Sequence, residues 1–216
     1  MRKAFITGIT GQIGSYLAEY LLDKGYLVGG LVRRSSAPHL ERLEHIIHRL
    51  QLFPGDVTDY NSIRLAVESF WPDEVYNLAA QSFVGDSWKF PNQTTDVTGT
   101  GVLNVLRAVK DTNINIRFFQ ASTSEMFGLV QETPQTETTP FYPRSPYGVA
   151  KLYGHWMTIN FRESYNMFAC CGILFNTESH KRGQEFVTKK IADGAWEIAQ
   201  QWDNLSFEPI KLGNLS

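Results

Sequence analysis

The sequence predicts an α/β fold built on a doubly wound parallel sheet. Three observations lead there. Short apolar runs of strand length recur along the chain, amphipathic helical stretches separate them, and the first strand-to-helix turn is rich in glycine. Sheets of this kind bind ligands beyond the carboxyl ends of their strands.

The elements follow in order. Strands are expected at residues 3–7, 26–32, 50–54, 74–78, 117–121 and 167–175. A helix over 12–24 places Ile13, Tyr16, Leu17, Tyr20 and Leu21 on one face, and Gly25 stops it. A second over 97–109 repeats the spacing with Val102, Val105, Leu106 and Val109; two more are expected at 147–165 and 185–202. The proline- and threonine-rich stretch 133–146 reads as an ordered loop crossing the site, and 207–212 as one more strand. The organisation expected is a nucleotide-binding domain over 1–176 and the beginning of a C-terminal lobe over 177–216.

Composition narrows the class. With 216 residues, 43% hydrophobic and 19% charged, the chain suits an ordinary globular protein. A net charge of −2 offers no electrostatic case for binding nucleic acid or an anionic membrane. No apolar run reaches bilayer-spanning length, and the N-terminus enters a strand directly, so a cytoplasmic protein is expected. The two cysteines, Cys170 and Cys171, are adjacent and read as opposite faces of a buried strand; no metal site is expected.

The chemistry begins at the glycine turn, Gly8-Ile9-Thr10-Gly11-Gln12-Ile13-Gly14. Glycines let a pyrophosphate approach the backbone, and the helix N-terminus behind them favours the negative charge. This is the pattern of a Rossmann-type dinucleotide site. After the second strand stands Arg33-Arg34-Ser35 in place of an acidic residue, which suits a 2′-phosphate and so favours NADP, the alternative being a solvated basic turn. Asp56-Val57 follows the third strand; an adenine contact and a helix cap are both open for Asp56. Downstream, Tyr147 and Lys151 stand one helical turn apart, so an ammonium is expected to lower the tyrosine pKa for proton abstraction from a sugar hydroxyl. Thr123 and Glu125 follow the fifth strand. A carboxylate there reads either as a second base, able to remove a proton beside a carbonyl and help expel water, or as a helix-capping or loop-stabilising glutamate.

The motifs T-G-I-T-G-Q-x-G-S, V-R-R-S-S, Y-N-L-A-A-Q-S, Q-A-S-T-S-E-M-F-G and T-T-P-F-Y-P-R-S-P-Y-G-x-A-K resemble the GDP-mannose 4,6-dehydratase family of extended short-chain dehydrogenases/reductases. The resemblance implies a redox-neutral dehydration of GDP-mannose to GDP-4-keto-6-deoxymannose. Tyr147 would take the C4 hydroxyl proton while hydride passes to NADP, Thr123 would hold that oxygen, and Glu125 would take the C5 proton. Water would leave from C6, and the hydride would return there. It also implies cofactor contacts from Leu78, Ala79, Ala80, Gln81, Ser82, Lys151 and Arg182. Substrate contacts would come from Ser82, Ser124, Asn176, Glu178 and Lys190. A homodimer or homotetramer is implied, with helices 97–109 and 147–165 between subunits. Ile13, Phe127 and Thr177 depart from the family pattern, and the sequence ends soon after the G-N-L motif, so the second lobe is expected to be incomplete. The alternatives are another sugar-nucleotide dehydratase or epimerase, or an NADP-binding fragment without activity.

Overall fold

The computed structural model describes residues 1–35, 39–200 and 209–212. Two compact units divide the chain, at 1–175 and 176–216. The first contains a six-stranded sheet, every neighbouring pair parallel, with strands β1 (Lys3–Thr7), β2 (Leu27–Val32), β3 (Leu50–Pro54), β4 (Glu74–Asn77), β5 (Arg117–Thr123) and β6 (Ala169–Leu174). The order is β3-β2-β1-β4-β5-β6. The direction of winding reverses between β1 and β4, which opens a crevice at their carboxyl ends.

The pleat sends alternate residues to opposite faces. Phe5 joins Val75 and Phe118 in a core shared with α2 (Tyr60–Phe70) and α5 (Gly101–Thr112). Ala4 and Ile6 join Leu21, Leu22 and Leu43 in a second core, on the side of α1 (Gln12–Asp23). α5 is held by its apolar stripe: Val102, Val105, Leu106 and Val109 are all buried. α6 (Pro146–Tyr165) starts where Ser145 accepts a hydrogen bond from the Gly148 amide at 3.0 Å, with proline at its first position.

Several expectations shift. β5 runs on through Thr123, which is therefore the last residue of the strand, and β4 ends at Asn77. The helix expected at 97–109 begins at Gly101; it is preceded by α3 (Val84–Lys89), α4 (Pro91–Thr95) and one wide turn over Asp96–Thr100. Asp56 does not cap the next helix. Asp59 does, accepting from the Asn61 amide at 3.0 Å, because Asp59 is the residue immediately before the first helical turn. Cys170 is exposed and Cys171 half-buried, since β6 is the outer strand of the sheet among the described residues.

The second unit contains α7 (Val187–Gln200), which falls within the helix expected at 185–202; residues 201–202 lie outside the described residues. No residue of α7 is buried. Of the strand expected at 207–212, residues 209–212 are in no strand, with Pro209 offering no N–H to a ladder, and 207–208 lie outside the described residues.

Candidate active site

The parallel sheet brings the sequence-predicted residues of the first unit to one edge. β1 ends in the glycine turn, β2 in Arg33-Arg34-Ser35, β3 in Asp56-Val57, β4 in 78–82, and β5 in Thr123-Ser124-Glu125. Two glycines cannot be replaced without a collision. Gly8 holds a left-handed φ of +70°, and a Cβ there would stand 2.8 Å from the Ala79 amide nitrogen. A Cβ on Gly14 would strike the Gly8 carbonyl and come within 2.8 Å of Ile9 Cα. The turn therefore presents bare backbone ahead of α1, whose N-cap, Gly11, brings no side chain to its first amides. Thr10 and Gln12 flank it half-buried, and Ile13 is exposed.

Beyond β2 and β3 lies a cavity of about 500 Å³ lined by Arg33, Asp56, Thr58, Gln93, Asp96, Val97 and Thr100. Asp56 accepts from the Thr58 amide at 2.9 Å and its hydroxyl at 2.8 Å, a local turn that leaves it in the cavity wall. Gln93, Asp96 and Thr100 escape sequence reasoning, because they reach the cavity only through α4 and the wide turn. Arg34 and Ser35 are exposed beside Arg33. An anionic dinucleotide fits these parts: bare amides at the turn, a cavity of the right scale, and the Arg33 guanidinium in its lining.

The segment 78–82 is pinned to the helices behind it. The Gln81 amide donates to Thr98 Oγ1 at 3.1 Å, and Thr94 Oγ1 donates to Gln81 Oε1 at 3.1 Å. Leu78, Ala79 and Ala80 are half-buried and Ser82 exposed.

The first turns of α6 place Tyr147 and Lys151 against the end of β5. Both are buried. Lys151 Nζ donates to the Ala121 carbonyl at 2.9 Å and lies 5.7 Å from the centre of the Tyr147 ring. Burial alone pushes the ammonium down to about 8. The expected lowering of Tyr147 is not seen. Burial pushes its phenol up to about 12; a hydrogen bond with Thr123 works the other way, and the Glu125 charge adds to the rise. The lysine is turned onto a carbonyl rather than the phenol, so dehydration of the site dominates. Glu125 is exposed, its amide donating to Thr123 Oγ1 at 3.2 Å, and Ser124 is half-buried. The loop 133–146 brings Phe141 against Phe127 at 5.1 Å and His155 at 5.3 Å, ring centre to ring centre. His155 Nδ1 in turn stands 3.0 Å from Ser122 Oγ.

Asn176, Glu178, Arg182 and Lys190 all fall in the second unit. There Arg182 Nη1 donates to the Thr177 carbonyl at 2.7 Å, Nε lies 3.5 Å from the Glu178 carboxylate, and the guanidinium stacks 3.9 Å over Phe186. Glu178 also accepts from Thr188. Asn176 and Lys190 are exposed. Among the described residues, no group of three or more His, Cys, Asp or Glu is arranged to hold a metal ion, and no helix is long and apolar enough to cross a membrane.

Comparison with known proteins agrees with this geometry. A dTDP-glucose 4,6-dehydratase of Streptomyces venezuelae, solved with NAD and TYD bound, shares the fold with a TM-score of 0.80 at 22% identity, over 90% of this chain and 62% of that one. A Bordetella bronchiseptica enzyme in complex with NAD+ is 26% identical with a TM-score of 0.74, over 94% of this chain and 63% of that one. The GDP-mannose 4,6-dehydratase of Yersinia enterocolitica is 54% identical over 224 aligned positions, covering 100% of this chain. The chain spans 59% of that relative's length. The sequence profile of GDP-mannose 4,6 dehydratase matches residues 5–216. With the glycine turn, the paired arginines and the Thr123–Glu125–Tyr147–Lys151 group already in place, this match means that the chain belongs to the GDP-mannose 4,6-dehydratase family.

Proposed function

We propose that the chain carries the nucleotide-binding and catalytic part of an NADP-dependent dehydratase converting GDP-mannose to GDP-4-keto-6-deoxymannose. The observation that carries this reading is the convergence of Thr123, Tyr147 and Lys151 at the end of β5, with a carboxylate, Glu125, leaving the same strand end. A plain alcohol dehydrogenase has no use for that carboxylate. The 54% identity to the Yersinia dehydratase supports the choice of sugar nucleotide.

NADP, when bound, supplies the carrier that takes a hydride from C4 and returns it to C6. The chain's own residues handle the protons. Tyr147 takes the C4 hydroxyl proton. In this reading the Lys151 charge, 5.7 Å from the Tyr147 ring centre, favours the phenolate against the burial that pushes the phenol up to about 12. Thr123 holds the C4 oxygen as it becomes a carbonyl. Glu125 then removes the acidified C5 proton and delivers a proton to the C6 hydroxyl, which leaves as water. Arg33 and Arg34 would hold the 2′-phosphate and Asp56 the adenine edge; Arg33 and Asp56 line the same cavity as Gln93 and Asp96. Arg182, Asn176, Glu178 and Lys190 complete the reading as cofactor and sugar-nucleotide contacts of the second unit. Exposed Val149, Tyr153 and Trp156 along α6 support self-association of the chain.

Incubation with NADP and GDP-mannose, followed by mass spectrometry, tests the reaction. A sugar nucleotide lighter by one water is expected from the parent, and none from Glu125→Gln with NADP binding kept. Dehydration by Glu125→Gln at the parent rate would remove the carboxylate from the mechanism. NADP binding without any dehydrated product would reduce the chain to a cofactor-binding module.

A further inference from the structure

Thr7, Asn77 and Gln120 stand side by side in register on β1, β4 and β5, and all three are buried. Their side chains form a continuous series. The Ala79 amide donates to Thr7 Oγ1 at 3.3 Å, and the Thr7 hydroxyl donates to Asn77 Oδ1 at 2.5 Å. Asn77 Nδ2 donates to Gln120 Oε1 at 2.7 Å, and Gln120 Nε2 to the Ala121 carbonyl at 3.0 Å. That carbonyl is the one that receives Lys151 Nζ.

The direction of the series is forced by its ends. Ala121 C=O can only accept, so Gln120 must turn its NH₂ toward it and its oxygen toward Asn77. Asn77 must then donate to Gln120 and accept from Thr7. The Thr7 oxygen is left to accept from Ala79 N–H, which can only donate. Every rung points toward the lysine's carbonyl, and aligned hydrogen bonds of this kind polarise one another.

We infer that Thr7, Asn77 and Gln120 are positioning residues for Lys151, a one-way ladder that fixes the Ala121 carbonyl on which the ammonium rests and ties it to the backbone beside the glycine turn. A carbonyl oxygen offers two lone pairs. Gln120 fills one and confines Lys151 to the other. At its far end the ladder holds Ala79, within the cofactor-facing segment 78–82, so that segment and the lysine share one frame. Losing the Thr7 hydroxyl leaves Asn77 Oδ1 without its donor and weakens the polarisation of the series, although Thr7 touches neither the lysine nor its carbonyl. The role of Lys151 in catalysis rests on the proposed dehydration; the ladder does not.

The test uses the full chain labelled with ¹³Cε-lysine, with the Lys151 resonance assigned by its absence in Lys151→Met and followed through a pH titration by NMR. Gln120 Nε2 competes with the ammonium for Ala121, and the Thr7 hydroxyl strengthens that donor by polarising the series. Thr7→Val and Gln120→Met are therefore each expected to raise the Lys151 midpoint by about half a pH unit or more. Thr7→Ser, which keeps the hydroxyl, is expected to match the parent. Turnover of GDP-mannose should lose kcat more than it gains KM in the first two variants. An unmoved midpoint in folded Thr7→Val overturns the ladder, as does an equal shift in Thr7→Ser, which would mark a packing effect. Valine matches threonine in shape, so Thr7→Val decides the matter even where Gln120→Met does not fold. The expected pattern of midpoints in a chain that dehydrates nothing would sink the reaction and leave the ladder standing.

Discussion

At the scale of single residues, burial decides more of the site than charge does. Lys151 ionises near 8 in the folded protein against 10.5 when free, so between those values the unfolded chain holds the extra proton. Stability from this group accordingly rises with pH across that window, by up to about 1.4 kcal/mol per unit. Tyr147 has the opposite sense: with its phenol near 12, it withdraws stability only above its ordinary value of 10. The Tm advantage of Lys151→Met over the parent should therefore shrink as pH is raised from 8 to 10. A constant difference would show that the ammonium is not dehydrated in the folded state. Arg33, on the rim of the cavity, has a separate test. Arg33→Ala should weaken NADP binding roughly tenfold or more while leaving NAD nearly unaffected, since a charge-assisted bond to the 2′-phosphate exists only with NADP. Equal losses for both cofactors by calorimetry would move the phosphate site elsewhere.

Elements act by where they begin and end. α2 starts on the Asp59 side chain, so Asp59→Ala should cost about 1 kcal/mol in chemical denaturation, whereas Asp56→Ala should spare the helix. Equal costs would make Asp56 structural after all. α1 approaches the glycine turn so closely that Gly14→Ala has no room; it should abolish NADP binding and lower the Tm, because backbone rather than a mobile side chain blocks the new methyl. These boundaries are where the sequence was hardest to read. Asp56 and Asp59 both precede α2, and propensity alone does not choose between them. The wide turn over Asp96–Thr100 leaves the apolar spacing of α5 intact, so the helix is legible but its start is not.

For the whole molecule, both hydrophobic cores lie within residues 1–175, while no described residue of 176–212 is buried. A chain ending at Phe175 should therefore keep a cooperative thermal transition close to the parent's. Loss of that transition would show that the second unit supplies packing to the first. The proposed self-association belongs to this scale too: Trp156→Glu on α6 should shift the protein toward monomer in analytical ultracentrifugation, and an unchanged mass would count against that face.

The sequence by itself determined the parallel sheet, the glycine turn, the paired arginines and the identity of Thr123, Glu125, Tyr147 and Lys151, because period, glycine placement and residue chemistry are local properties. Only the tertiary structure decided which neighbours those groups meet. It turned Lys151 onto a carbonyl, raised Tyr147 instead of lowering it, and brought Gln93 and Asp96 to the cavity of Arg33. It also lined up Thr7, Asn77 and Gln120, which lie 70 and 43 positions apart in the chain. Burial and cross-strand register are set by the packing of distant segments, and no local pattern encodes them.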